Sequence, residues 1–165
     1  MKNTWSEIKL RVNINTTVGK AYMAWATPQG LESWFLRKAS FTDTNGKNRE
    51  PQSFIQKGDN YEWYWHGHPE NVVEKGIILS ANGTNGFSFS FSMGCPVSIS
   101  IYTECNEIIV ELLETDLPVD EETKLKHYVE DSKGWLFYLS NLKSVLEGGL
   151  DLRNKKVELT NVITA

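Results

Sequence analysis

Residues 7–15 alternate strictly. Ile8, Leu10, Val12 and Ile14 are apolar, and Lys9, Arg11 and Asn13 separate them. A period of two predicts a strand with one buried face. Thr16 or Thr17 is then placed to cap a short helix in which Val18, Ala21, Tyr22 and Trp25 recur at helical spacing. Thr27-Pro28 restarts the chain, with Thr as N-cap and proline at the first helical position, where its missing N–H costs nothing. Leu31, Trp34 and Phe35 form the apolar face of this second short helix.

From about residue 39 to 114 the period returns to two. Candidate strands cover 38–43, 60–66, 72–80, 86–93, 97–104 and 107–114. Phe87, Phe89, Phe91 and Met93 alternate with Ser88, Ser90 and Ser92, and Val97, Ile99 and Ile101 share one face of the next run. Breaks are expected at Thr44-Asn45-Gly46, Lys57-Gly58-Asp59, Ala81-Asn82-Gly83, Gly94-Cys95-Pro96 and Cys105-Asn106. Short strands joined by tight turns predict an antiparallel sheet. Residues 44–59 are the longest connection.

After Pro118 the period becomes helical up to about 148. Asp120, Glu121 and Glu122 place negative charge at its start, where the helix dipole favours it. Trp135, Leu139, Leu142 and Leu146 form one stripe, flanked by Tyr138 and Val145, and Gly148-Gly149 ends it. Gly134 weakens the helix locally, by about 1 kcal/mol relative to Ala, which points to a close backbone contact or a break there. The tail 150–165 is either loose or an added edge strand. A sheet that is apolar on one face needs a cover, and the long helix is the element large enough to supply it. The expected fold is α+β: one domain over 1–165, a curved antiparallel sheet wrapped around a long C-terminal helix, with space between them for a pocket.

Two segments resemble a known family. One is Ala26-Thr27-Pro28-Gln29-Gly30-Leu31-Glu32-Ser33-Trp34-Phe35-Leu36. The other is Gly134-Trp135-Leu136-Phe137-Tyr138-Leu139-Ser140-Asn141-Leu142-Lys143-Ser144-Val145-Leu146-Glu147. They are similar to the signatures of the domain shared by homologues of the activator of heat-shock protein 90 ATPase, within the START-like, birch-pollen-allergen-like (SRPBCC) helix-grip superfamily. The resemblance spans about residues 7–148 and leaves 149–165 as a tail. It implies the helix-grip fold and a small hydrophobic ligand held between sheet and long helix. The family name implies a second role, as a module that stimulates a chaperone ATPase. Cyclases and hydrolases elsewhere in the superfamily imply a third, for which His66 is the ionisable candidate.

Tyr61-Glu62-Trp63-Tyr64-Trp65-His66-Gly67-His68 is the most unusual stretch. Alternation puts Tyr61, Trp63 and Trp65 on one face and Glu62, Tyr64, His66 and His68 on the other. It reads either as an aromatic pocket wall with a polar pair or as a strand packing its rings into the core. Trp63, Trp65, Phe89, Trp135, Leu139, Leu142 and His66 are the expected ligand lining, with burial contributing roughly 25 cal/mol per Å² of apolar surface. The rings Trp25, Trp34, Phe35 and Trp135 read either as core packing or as a pocket mouth.

No catalytic residue, metal or cofactor is expected. His66 and His68 lack a third ligand, and the cysteines have no zinc spacing. No GxSxG elbow surrounds a serine, and Gly83-Thr84-Asn85-Gly86 lacks the Lys of a phosphate loop. The serines of 88–100 read as the solvent face. The acidic residues of 104–131 read as solvated surface or as a docking face for a basic partner, and Glu111 is the one carboxylate expected to turn inward if the alternation slips.

Composition changes this picture little. The 165 residues have 40% hydrophobic and 23% charged content, ordinary for a globular domain, with six Trp, six Tyr and seven Phe. A net charge of −4 argues against nucleic acid as partner. No apolar run is long enough to span a membrane, and no leader pattern is visible, so the cytoplasm is the expected compartment. Cys95 and Cys105 sit at opposite ends of one strand-like run. Ten residues of strand extend about 33 Å, beyond disulfide reach, so two free thiols are expected.

Overall fold

The computed structural model describes residues 5–118 and 120–163. Met1–Thr4, on which the expectation of no leader partly rests, and the last two residues of the tail lie outside the described residues, as does the side chain of Glu121.

Alternation becomes strand β1 over Ile8–Ile14, with Ile8 and Ile14 buried and Lys9, Arg11 and Asn13 exposed. Thr17 caps helix α1 (Val18–Ala26) by accepting from the Lys20 amide. Thr27 serves two elements: its hydroxyl donates to Met23 O at 2.8 Å and accepts from the amide of Gly30 at 3.0 Å, closing α1 and capping α2 (Pro28–Trp34). The elbow is so tight that a Cβ on Gly30 would lie 2.0 Å from Met23 O. Trp34 Nε1 crosses it to donate to Ala24 O at 2.9 Å.

Six more strands follow: β2 (Lys38–Thr42), β3 (Asn60–Tyr64), β4 (Glu74–Ala81), β5 (Gly86–Phe91), β6 (Cys95–Glu104) and β7 (Glu107–Glu114). They form one seven-stranded antiparallel sheet in the order β1-β7-β6-β5-β4-β3-β2. Helix α3 (Glu121–Leu146), capped by the Asp120 carboxylate on the Thr123 amide, lies over the concave face as one unbroken element. Trp135, Tyr138, Leu139 and Leu142 are buried against the sheet and α2. This is the expected α+β helix-grip arrangement.

Several boundaries differ from the sequence reading. The strand expected over 60–66 ends at Tyr64, because His66-Gly67 turn the chain and Gly67 takes φ +76°. The run expected over 86–93 ends at Phe91. Ser92, Met93 and Gly94 take positive φ and make the turn, so Met93 leaves the phenylalanine face and is 73% exposed. Cys95 and Pro96, expected in that turn, open β6. Gly134 marks no break. Residues 150–154 pair with no strand. Instead Arg153 donates to the carbonyls of Glu32, Ser33 and Leu36 at 2.9–3.1 Å, and Asn141 Oδ1 accepts from the Leu152 amide at 2.7 Å, strapping the tail to α2 and α3. The 44–59 connection is ordered by a buried ion pair: Arg49 Nε and Nη2 donate to Asp59 at 2.9 and 2.8 Å, and Asp59 is 1% exposed. No helix among the described residues is long and apolar enough to cross a membrane.

Candidate functional site

The centre of the sheet–helix interface is packed solid: Phe89 and Leu142 have no exposed surface. Open space lies at one end of it, in a cleft of about 440 Å³. Four elements build this cleft. Phe35 comes from the end of α2 and Phe91 from the end of β5. The β3–β4 connection supplies Trp65, His68 and Val72. Helix α3 supplies Glu130, Asp131, Gly134, Trp135 and Tyr138. The rings brace one another, with Phe35–Tyr138 centroids at 4.8 Å, Phe91–Trp135 at 4.9 Å and Phe35–Trp65 at 6.0 Å. A Cβ at Gly134 would meet nothing within 4 Å, so the missing side chain is part of the opening.

Behind the cleft is a buried polar cluster. His127, Asp131 and Trp135 fall four residues apart and share one face of α3. That face meets the ends of β6 and β7. Glu114, the last residue of β7, is fully buried. Its Oε2 accepts from Trp135 Nε1 at 2.8 Å, and its Oε1 lies 3.2 Å from His127 Nε2. Asp131 Oδ2 is 2.9 Å from the same nitrogen, and Cys95 Sγ is 4.0 Å from it. Three acidic groups thus converge on one ring nitrogen, which carries at most one proton. Burial, reinforced by the charge of Glu114, pushes the Asp131 carboxyl up to about 8. Burial followed by the nearby carboxylates, Glu114 first, pushes the Cys95 thiol up to about 11. A nucleophilic cysteine works as its thiolate. This one is held protonated, so the cluster does not have the electrostatics of a Cys/His nucleophile.

Of the residues expected from sequence to line a ligand site, Trp65 and Trp135 lie in the cleft wall. Trp63, Phe89, Leu139 and Leu142 lie in the packed core behind it. His66 is on the turn after β3, outside the cleft wall, and its pKa is lowered by burial and by the charges of Arg153 and Lys155. His68, two residues on, lines the cleft, because the strand has ended and alternation no longer governs which way the side chains point. Glu111 stays on the outer face, where it meets Lys9 at 3.2 Å and Arg11 at 3.5 Å. The inward carboxylate is Glu114, in step with the buried Val110 and Leu112. Counting by twos from Val110 would have found it. Both cysteines are free, Cys95 buried and Cys105 exposed.

No protein-family model matches the sequence, and no curated protein matches it. Solved structures do. The protein SSP2350 from Staphylococcus saprophyticus superposes with a TM-score of 0.69 at 15% identity, over 92% of this chain and 98% of that one. The Aha1 dimer from Colwellia psychrerythraea gives 0.66 at 17% identity, over 87% and 97%. The AHSA1-like protein from Aeromonas hydrophila gives 0.60 at 17% identity, over 86% and 92%. The fold is therefore that of the Aha1-type helix-grip proteins, along nearly the whole length of each.

Proposed function

We propose that the chain is a binding domain that takes a small, largely apolar, ring-bearing molecule in the cleft between α3 and the β3–β4 connection. The observation that carries this reading is the gap in an aromatic wall at Gly134. Rigid rings surround a space of ligand size, and the helix omits a side chain where one would fill it. The lining is mainly aromatic and apolar, with His68, Glu130 and Asp131 at its polar edge, which supports binding of a largely apolar molecule.

The test uses the uncharged fluorescent probe N-phenyl-1-naphthylamine, together with native mass spectrometry of the purified protein. Saturable binding is expected. Gly134→Phe, which places a ring in the cleft, should weaken it by at least about tenfold, or 1.4 kcal/mol, while the variant still melts cooperatively. Equal binding by a folded Gly134→Phe protein overturns the reading.

Stimulation of a heat-shock protein 90 type ATPase is the other role that the sequence resemblance implies. The residues that carry the resemblance are occupied internally: Thr27 caps α2, Trp34 and Phe35 pack in the core, and Trp135 holds Glu114. They support the fold rather than a chaperone contact. Unchanged ATP turnover by the chaperone at saturating concentrations of this protein is the expected result.

A further inference from the structure

We propose that Cys95, Glu114 and His127, closed by Asp131, form a binding site for one divalent cation of the zinc class. The sulfur, nitrogen and carboxylate oxygen of the first three lie within 4.8 Å of one another, and all three residues are buried. Zinc bonds of roughly 2.0–2.3 Å set tetrahedral ligand atoms about 3.3–3.8 Å apart. The observed separations of 2.9, 3.2 and 4.0 Å around His127 Nε2 bracket that range, while Asp131 stands outside the group of three mutually within 4.8 Å and must rotate to become the fourth ligand.

The donor set argues for the same occupant. One thiol, one imidazole and carboxylate oxygens suit a borderline cation rather than calcium or magnesium, which prefer oxygen alone. A bound cation would supply the positive charge that lets Glu114 and Asp131 both ionise in this buried setting. Asp131 Oδ2 is buried 2.9 Å from His127 Nε2 without the alignment of a good hydrogen bond to it. The indole of Trp135 fixes Glu114 from behind, as outer partners of metal ligands do. Asp131 also borders the cleft, which gives the ion a way in. Binding releases the Cys95 proton to solvent and leaves a metal-bound thiolate.

The chelator-treated full chain is titrated with Co²⁺ and then with Zn²⁺. One equivalent of cobalt should give the visible bands of a tetrahedral site and a near-ultraviolet thiolate-to-cobalt transition, and zinc should displace it. Cys95→Ser should abolish the thiolate band, and Cys105→Ser should retain it. Trp135→Phe should bind about 10–100-fold more weakly. Circular dichroism checks that each variant is folded. If Cys95→Ser does not fold, protection of Cys95 from alkylation by zinc in the unsubstituted chain replaces it. No tetrahedral cobalt spectrum, a thiolate band that survives in Cys95→Ser or disappears in Cys105→Ser, or an unprotected Cys95 overturns the site. The titration is run with no ligand added to the cleft, so its outcome separates this proposal from the one above.

Discussion

Single buried charges do much of the ordering in this chain. Arg49 and Asp59 are the clearest case. The carboxylate is 1% exposed and takes two guanidinium hydrogen bonds, while the Gln56 amide donates a third at 2.9 Å. Removing one partner of such a pair leaves an uncompensated charge, so Arg49→Met should lower stability by about 3–5 kcal/mol in urea denaturation. The double substitution Arg49→Met with Asp59→Leu should recover much of that loss. Neither residue stands out in the sequence, because a charge that is paired at long range looks like any surface charge until the fold closes. Glu114 escaped notice for the same reason. It sits at the end of an acidic run, and only its register with Val110 and Leu112 gives it away.

Among the elements, the strands and α3 were legible because burial of one face imposes a period that the sequence records. Their ends were not. Ser92, Met93 and Cys105 adopt positive φ without being glycine, and nothing in the alternation announces that. The cleft was legible only in part, since Trp65 and Trp135 are aromatic for reasons that serve core and pocket equally. What opens it is the absence of a side chain at Gly134, which reads in sequence as a helix flaw. Gly134→Ala tests this. The added methyl meets nothing, so the substitution should stabilise the protein by up to about 1 kcal/mol through helix propensity, seen as a higher melting temperature. A destabilised Gly134→Ala variant would mean that the glycine serves the helix backbone rather than the opening.

For the whole molecule, the strap at 150–154 joins the two ends of the architecture, tying α3 to the carbonyls at the end of α2. Asp151 is its electrostatic anchor. Burial alone would raise its pKa, but hydrogen bonds and charge from Arg153 and Lys155 outweigh that and hold the carboxyl well below the usual range. A carboxyl with a lower pKa folded than unfolded contributes stability above its unfolded value of about 3.9, and loses it as the pH falls through the folded value. Asp151→Asn should therefore cost about 1–3 kcal/mol at pH 7. Its difference from the unsubstituted chain should shrink steadily below about pH 4 in denaturation curves. A gap that stays constant with pH would assign the strap to packing instead.

Asp131 faces two ways: one side forms part of the aromatic cleft, and the other closes the buried Cys95–Glu114–His127 group. A residue shared by the two proposed binding events would make them thermodynamic partners. By whatever factor a molecule in the cleft tightens or loosens the cation, the cation must alter the hold on that molecule by the same factor.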